Sequence, residues 1–359
     1  MELPTAGVHT LREILSQPRC WADCFAALDS QDQLRQVGKQ WTPPAEWIFI
    51  GCGSSYYVAL GAASTWTALT GQSARAIPAS ELLLFPQLVL SEARPCQPVL
   101  ISRSGHTSEV LKAAEILEMR HNIRTLAISC TTHQPLEEIS TLTLYLLPAD
   151  EQSTVMTRSF TSMLLGLQAL GAERGKQKEF AAALRRLPSQ MAPLMEDLSQ
   201  RVATFVDDHT FADYVYLGQG PFFAIANEGM LKVKEMSCSY GQCFHTLEFR
   251  HGPKAIVGPE TLVTFLLSET GSEAECEVLE EVKGLGATTL VVANRADRAV
   301  RQAADFLVEL QLDVPEFARL AAYIITGQLL GLYTGLKKGY DPDRPRNLSR
   351  AVILSSHGK

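Results

Sequence analysis

The chain repeats itself. Trp47–Ser55 (WIFIGCGSS) is an apolar run that breaks into a glycine turn, and Tyr214–Gly220 (YVYLGQG) has the same shape. A second apolar run follows in each half, Pro98–Ser102 (PVLIS) and Leu262–Ser268 (LVTFLLS); Ser102 lies 51 residues past Gly51 and Ser268 lies 50 past Gly218. Third runs, Thr125–Ser129 and Thr289–Ala293, and fourth runs, Leu142–Leu147 and Phe306–Leu310, complete the two series. Short apolar runs separated by stretches of helical period are the pattern of a parallel sheet buried on both faces. The sequence therefore predicts an α/β protein made of two doubly wound parallel-sheet domains in tandem.

The expected division is an N-terminal helical segment over 1–29, a first domain over 30–185, a second over 186–352 and a short end over 353–359. Lys176–Val206 has a helical period broken by Pro188 and Pro193, which suits a connecting helix pair. The stretch from Pro315 to about Lys338 is apolar nearly all round, so it should be buried at a domain or subunit contact. The tail Tyr340–Arg350 is rich in proline and charge, and is either a solvated end or an arm laid across a site.

Composition excludes several classes. A formal charge of −7 argues against a non-specific nucleic-acid binder, and no apolar run is long enough to span a bilayer. The start, MELPTAGVHTLREIL, lacks the apolar core of a secretory signal, so a cytoplasmic protein is expected. Eight cysteines without a CxxC pair disfavour both a disulfide framework and a metal site. Cys20 and Cys24, at helical i,i+4 spacing, read as small apolar residues, and Cys52 as a compact residue in a glycine turn.

Ligands of open α/β sheets bind beyond the carboxyl ends of the strands. Ser54 and Ser55 follow the first strand, and Ser102, Ser104 and Thr107 follow the second. Hydroxyls together with the N–H groups of a glycine turn and a helix start supply donors for a phosphate dianion without any lysine. One such cluster alone is better explained by helix capping; two at adjacent strand ends favour phosphate. A dinucleotide is disfavoured, because Tyr56 and Phe223 stand where the third glycine of GxGxxG belongs. Further on, residues 231–253 (LKVKEMSCSYGQCFHTLEFRHGP) gather a lysine, a carboxylate and imidazoles. Lys232 and Glu235 share a helix face, where the cation would keep the carboxylate ionised as a proton acceptor; taken alone they also suit an exposed ion pair. His251 falls in a Gly-Pro turn rather than in an apolar run, so carboxylate base and imidazole could converge on one small substrate.

Taken together these residues resemble the SIS (sugar isomerase) domain family, specifically the tandem-SIS isomerase half of glucosamine-6-phosphate synthase, over about residues 30–352. The family's CGTS is similar to Cys52–Ser55, SQSGET to Ser102–Thr107 (SRSGHT), LKLKE to Leu231–Glu235, KHGP to Arg250–Pro253 and PRNLAKSV to Pro345–Val352 (PRNLSRAV). The resemblance implies that Ser54, Ser55, Ser102, Arg103, Ser104 and Thr107 hold a sugar phosphate, with Thr154 and Arg350 also on the substrate side. It implies Glu235 as the C1/C2 proton carrier, supported by Lys232, and His251 as the ring-opening group, contributed across a homodimer. It implies no cofactor, no metal and no nucleic-acid or membrane partner. Two departures stand out. No counterpart of the synthase's glutaminase domain with its cysteine nucleophile is expected. Arg350 stands where the family has its imine-forming lysine, and a guanidinium that stays protonated forms no imine. The block Glu151–Phe160 is closer to shorter SIS proteins that deaminate amino-sugar phosphates or cleave fructosamine phosphates. The expectation is thus a hexosamine 6-phosphate isomerase/deaminase, with a fructosamine-6-phosphate deglycase or a non-catalytic sugar-phosphate sensor as alternatives.

Overall fold

The computed structural model describes residues 6–40, 46–91 and 95–354. The elements used below are α1 (Val8–Leu15), β1 (Glu46–Gly51), α2 (Ser54–Thr70), β2 (Ala74–Pro78), β3 (Cys96–Ile101), α3 (Ser108–Glu115), β4 (Leu126–Ser129), β5 (Leu142–Tyr145), α4 (Arg158–Arg174), α5 (Lys178–Met191) and α6 (Met195–Asp208). There follow β6 (Asp213–Gly218), α7 (Phe222–Ser237), β7 (Tyr240–Phe244), β8 (Thr261–Leu266), α8 (Ser272–Gly284), β9 (Thr288–Ala293), β10 (Phe306–Glu309) and α9 (Leu320–Lys337). The chain divides into two compact units. The first is built from Arg19–Glu151, Arg158–Arg185 and the segment from Ser349 onward; the second from the segment up to Pro18, Gln152–Thr157 and Arg186–Leu348.

Each unit holds a five-stranded parallel sheet, and the strand orders, β2-β1-β3-β4-β5 and β7-β6-β8-β9-β10, are the same order written for two copies. Four strands of each sheet coincide with the apolar runs of the sequence. The fifth of each, β2 and β7, is an edge strand of mixed burial and escapes a search for apolar runs. An edge strand has a neighbour on one side only, so it forms without a continuous apolar sequence.

Alternation along the strands sorts the side chains onto two faces. In the first unit Ile48, Ile50, Leu100 and Ala127 pack with Val110, Ala113 and Ala114 of α3. Trp47 and Phe49 point the other way, onto Trp66 of α2, with ring centroids 4.4 and 5.3 Å apart. In the second unit Val215, Leu217, Val263 and Phe265 pack with Val278, Leu279 and Val282 of α8. The expected helix pair between the halves is α5 and α6, joined by a 3-10 turn at Ala192–Leu194.

The apolar helix expected at a domain or subunit contact is α9, and it is buried inside the second unit against α6 and α7. Its packing depends on small residues. Gly327, Gly331 and Gly335 recur every fourth position and form one stripe; a Cβ on Gly327 would lie 3.1 Å from the Gly229 Cα, and one on Gly331 only 2.8 Å from the Lys232 carbonyl oxygen. A methyl at Gly335 would press still harder on the Met236 carbonyl. Backbone cannot yield as a flexible side chain does, so Gly331→Ala should destabilise the fold by about 1–3 kcal/mol despite alanine's better helix propensity. Urea denaturation of the variant checks this; an unchanged midpoint would show that the two helices separate freely.

Candidate active site

At the carboxyl ends of β1 and β3, where the strand order reverses, the first unit presents two hydroxyl-bearing turns. Cys52–Ser55 makes the first. A Cβ on Gly51 would meet the Ser55 carbonyl at 2.5 Å, so the α2 start folds tightly back on the strand and leaves Ser54 and Ser55 nine-tenths buried at its N-terminus. The Cys52 thiol is pushed up to about 11 by burial and the Glu109 charge, so it stays protonated at neutral pH and its part is packing.

Ser102–Thr107 makes the second turn. Gly105, at φ 68°, lies where a Cβ would overlap the Gln134 side chain, so both its conformation and its surroundings require glycine. Its N–H donates to Ser102 Oγ (3.1 Å), the His106 N–H donates to Ser104 Oγ (3.2 Å), and Ser102 Oγ lies 3.4 Å from Thr107 Oγ1. Arg103 is 4% exposed: it pairs with buried Glu151 at 3.2 Å and donates to the Arg350 carbonyl at 3.0 Å. Arg350 itself pairs through its guanidinium with Asp150. The tail runs on beside the α3 start, where the Ser108 N–H donates to the Val352 carbonyl at 3.1 Å and Leu354 N–H to Ser108 Oγ at 3.0 Å. Thus Ser54, Ser55, Ser102, Arg103, Ser104, Thr107 and Arg350 all belong to one unit, with Arg350 arriving from the far end of the chain.

The turn at the corresponding place in the second unit is filled by the chain itself. Ser268 Oγ accepts from the Gly271 N–H (2.8 Å) and donates to Glu275 (2.5 Å). The Glu316 carboxylate accepts from the N–H groups of Glu269 (2.5 Å) and Thr270 (3.2 Å) and from the Thr270 hydroxyl (2.6 Å). A protein carboxylate thus takes up the N–H and hydroxyl donors of this turn.

Helix α7 of the second unit carries the carboxylates. Lys232 is completely buried, with its Nζ 3.1 Å from Glu228 and 2.5 Å from Glu235. Burial alone would depress this ammonium, but Glu228 and Glu235 overcome it and hold Lys232 above the usual lysine range. The pair is therefore no exposed ion pair. Glu228 is sealed in, whereas the Glu235 side chain keeps 19% exposure, so one end of this row of charges reaches the surface. Glu228 was not singled out from sequence, although its i−4 spacing from Lys232 was the available signal. His251 lies in the same unit, on the turn after the 3-10 segment Glu248–Arg250; its side chain is exposed, and its N–H donates to the Glu248 carbonyl at 3.0 Å. No hydrogen bond joins it to Glu235 or Lys232. His245, by contrast, is stacked on Phe223 at 3.7 Å, and burial lowers its imidazole below the usual range. Thr154 lies in Gln152–Thr157, which belongs to the second unit although both flanking segments belong to the first.

Residues 45–172 and 213–330 match the SIS domain family model. The chain belongs to the SIS domain family. Among solved SIS structures it is similar to glucosamine-6-phosphate deaminase from Thermotoga maritima, at 30% identity and TM-score 0.79, covering 96% of this chain and 100% of that one. Tagatose-6-phosphate ketose/aldose isomerase from Escherichia coli has the same fold, with TM-score 0.81 at 22% identity over 98% of each chain. Among curated proteins, the glutamine–fructose-6-phosphate aminotransferase (isomerizing) of Methanothermobacter thermautotrophicus is 28% identical over 349 residues, 96% of this chain and 57% of that protein. The Pseudomonas putida aminotransferase is 30% identical over 85% of this chain and 51% of its own length. The SIS chain thus spans little more than half the length of these curated relatives. No described helix is long and apolar enough to cross a membrane.

Replacing Lys232 by methionine would leave Glu228 buried beside no cation. The fold should lose about 3–5 kcal/mol, with part restored in the Glu228→Gln/Lys232→Met double variant. Equilibrium urea unfolding of the three proteins checks it; an additive double variant would show that the two side chains do not depend on each other.

Proposed function

We propose that this protein is a cytoplasmic, cofactor-independent isomerase/deaminase of hexosamine 6-phosphates. The observation that carries the reading is the row Glu228–Lys232–Glu235, in which a fully buried ammonium is bonded to a sealed carboxylate on one side and a partly exposed one on the other. The likeness to the Thermotoga maritima deaminase over the whole chain supports the choice of substrate class.

In this reading the hydroxyls and N–H groups of Ser54, Ser55, Ser102, Ser104 and Thr107 bind the phosphate, with the buried Arg103 setting the turn between them. His251 transfers a proton between ring oxygen and anomeric hydroxyl to open the aldose. Its exposed position and lack of a bond to Glu235 accord with delivery from a second copy in a homodimer. Glu235 takes the proton from C2, giving a 1,2-enolamine, and returns it to C1. The resulting C2 imine adds water and expels ammonia, leaving the ketose 6-phosphate, so that one water is consumed and one ammonia released. Arg350, paired with Asp150, supplies charge at the tail and no imine.

Ammonia release from gluco- and galacto-configured hexosamine 6-phosphates and from fructosamine 6-phosphates tests the proposal. Glu235→Gln should lower kcat by about a hundredfold or more while leaving KM near that of the wild type, because the carboxylate acts on the proton and not on the phosphate. Turnover confined to fructosamine 6-phosphates would replace the deaminase reading with a deglycase, and binding without turnover of any member would make the protein a sensor. Wild-type rates in Glu235→Gln would remove that residue from the mechanism.

A further inference from the structure

Buried polar side chains converge on the segment Gln152–Thr157 from two helices remote from it in sequence. Glu13, on α1, is 3% exposed and takes hydrogen bonds from the Gln152 N–H (2.5 Å), the Ser153 N–H (3.3 Å) and the Ser153 hydroxyl. Two consecutive N–H groups aimed at one carboxylate fix the backbone at the residue pair just before Thr154. The other end is held as firmly. Gln328, on α9 and fully buried, donates from Nε2 to the Thr157 carbonyl at 3.2 Å, while its Oε1 accepts from Gln17 Nε2 at 2.7 Å. Gln17, itself fully buried, also donates to the Ile14 carbonyl at 3.0 Å, which ties this amide back to α1.

Helix α1 is in turn anchored by the chain's later part. Asp343 accepts from the His9 N–H (3.0 Å), the Thr10 N–H (2.7 Å) and the Thr10 hydroxyl (2.7 Å), and Asp341 from the Gly7 N–H (2.9 Å). The tail around Asp341–Asp343 thus caps the helix whose glutamate grips the segment.

We infer that Glu13 and Gln328 are positioning residues that clamp residues 152–157 at both ends and so set where Thr154 meets the sugar phosphate. The inference rests on the proposed function and on the SIS resemblance, which implies Thr154 on the substrate side. A buried carboxylate and two buried amides contribute little net stability compared with apolar side chains of the same shape, but fully bonded they allow a single arrangement of the backbone they hold. The N-terminal helix is then part of the catalytic apparatus rather than an appendage to it.

Steady-state kinetics, calorimetric binding of the phosphosugar and thermal melting are measured for the full chain and for Glu13→Gln, Gln328→Leu and Thr154→Ala. Glu13→Gln loses charge-assisted bonds to the segment, and its KM should rise about tenfold or more. Gln328→Leu keeps the size of the side chain but leaves the Gln17 amide and the Thr157 carbonyl without these partners; its melting temperature should fall while KM rises. A lowered melting temperature with wild-type KM in the folded fraction would mean a purely structural role and overturns the inference. If Glu13→Gln does not fold, Gln328→Leu decides alone, and wild-type kinetics in it overturn the clamp. Should Thr154→Ala raise KM while the folded clamp variants leave it unchanged, the clamp fails and the proposed function stands. Wild-type binding and kinetics in Thr154→Ala would bring down both the clamp and the substrate-side reading of this segment.

Discussion

A lysine ammonium with no solvent exposure, set between two carboxylates one helical turn away on either side, constrains the whole second unit. Desolvating three charges costs several kcal/mol for each ion unless every partner is in place. The helix that carries them must therefore be held without slack. The glycine stripe of α9 meets this need by bringing backbone against backbone along α7, so that Gly331 lies directly on the Lys232 carbonyl. Close packing and charge placement are one arrangement: the helices cannot separate without leaving Lys232 and Glu228 in an environment that no longer balances them. What emerges at the end of the row is Glu235, bonded to Lys232 and partly exposed.

The two halves show how one topology serves two ends. Both sheets run in the same strand order and both end their third-strand position in a turn of hydroxyls and N–H groups. In the first half those groups are arranged around Ser102 and Gly105, with Arg103 drawn back into its pair with Glu151. In the second half the corresponding turn gives its N–H and hydroxyl donors to Glu316 and its serine to Glu275, so a carboxylate of the chain itself sits there. The second unit's turn is thereby closed by the chain's own carboxylates, while its buried charges lie on α7.

Much of this was legible along the chain. The apolar runs gave four strands of each sheet: the three inner strands because a strand covered on both faces has to be apolar throughout, and the edge strands β5 and β10 because Leu142–Tyr145 and Phe306–Glu309 still carry enough apolar residues to show. The edge strands β2 and β7 were not legible, since Ala74–Pro78 and Tyr240–Phe244 need be apolar only where they touch a neighbour. The hydroxyl turns were visible because serine, threonine and glycine cluster at two adjacent strand ends, where helix capping would explain either one alone. Lys232 and Glu235 were visible as a pair through their helical spacing, but an exposed surface pair has the same spacing, and only the packing of α9 shows which of the two it is.

Sequence by itself determined the class of fold, the doubling of the sheet, the positions of the strand-end turns and the family. These follow from local rules: side-chain period, glycine's freedom at positive φ and the order of short motifs. Tertiary structure alone decided that Lys232 is buried with Glu228, that Arg103 reaches Glu151 and the Arg350 carbonyl, and that Glu13 grips residues 152–153 across about 140 positions of chain. Each of these joins groups whose proximity comes from how helices and loops pack around a sheet, and a charge's meaning depends on what surrounds it in space, which no local pattern records.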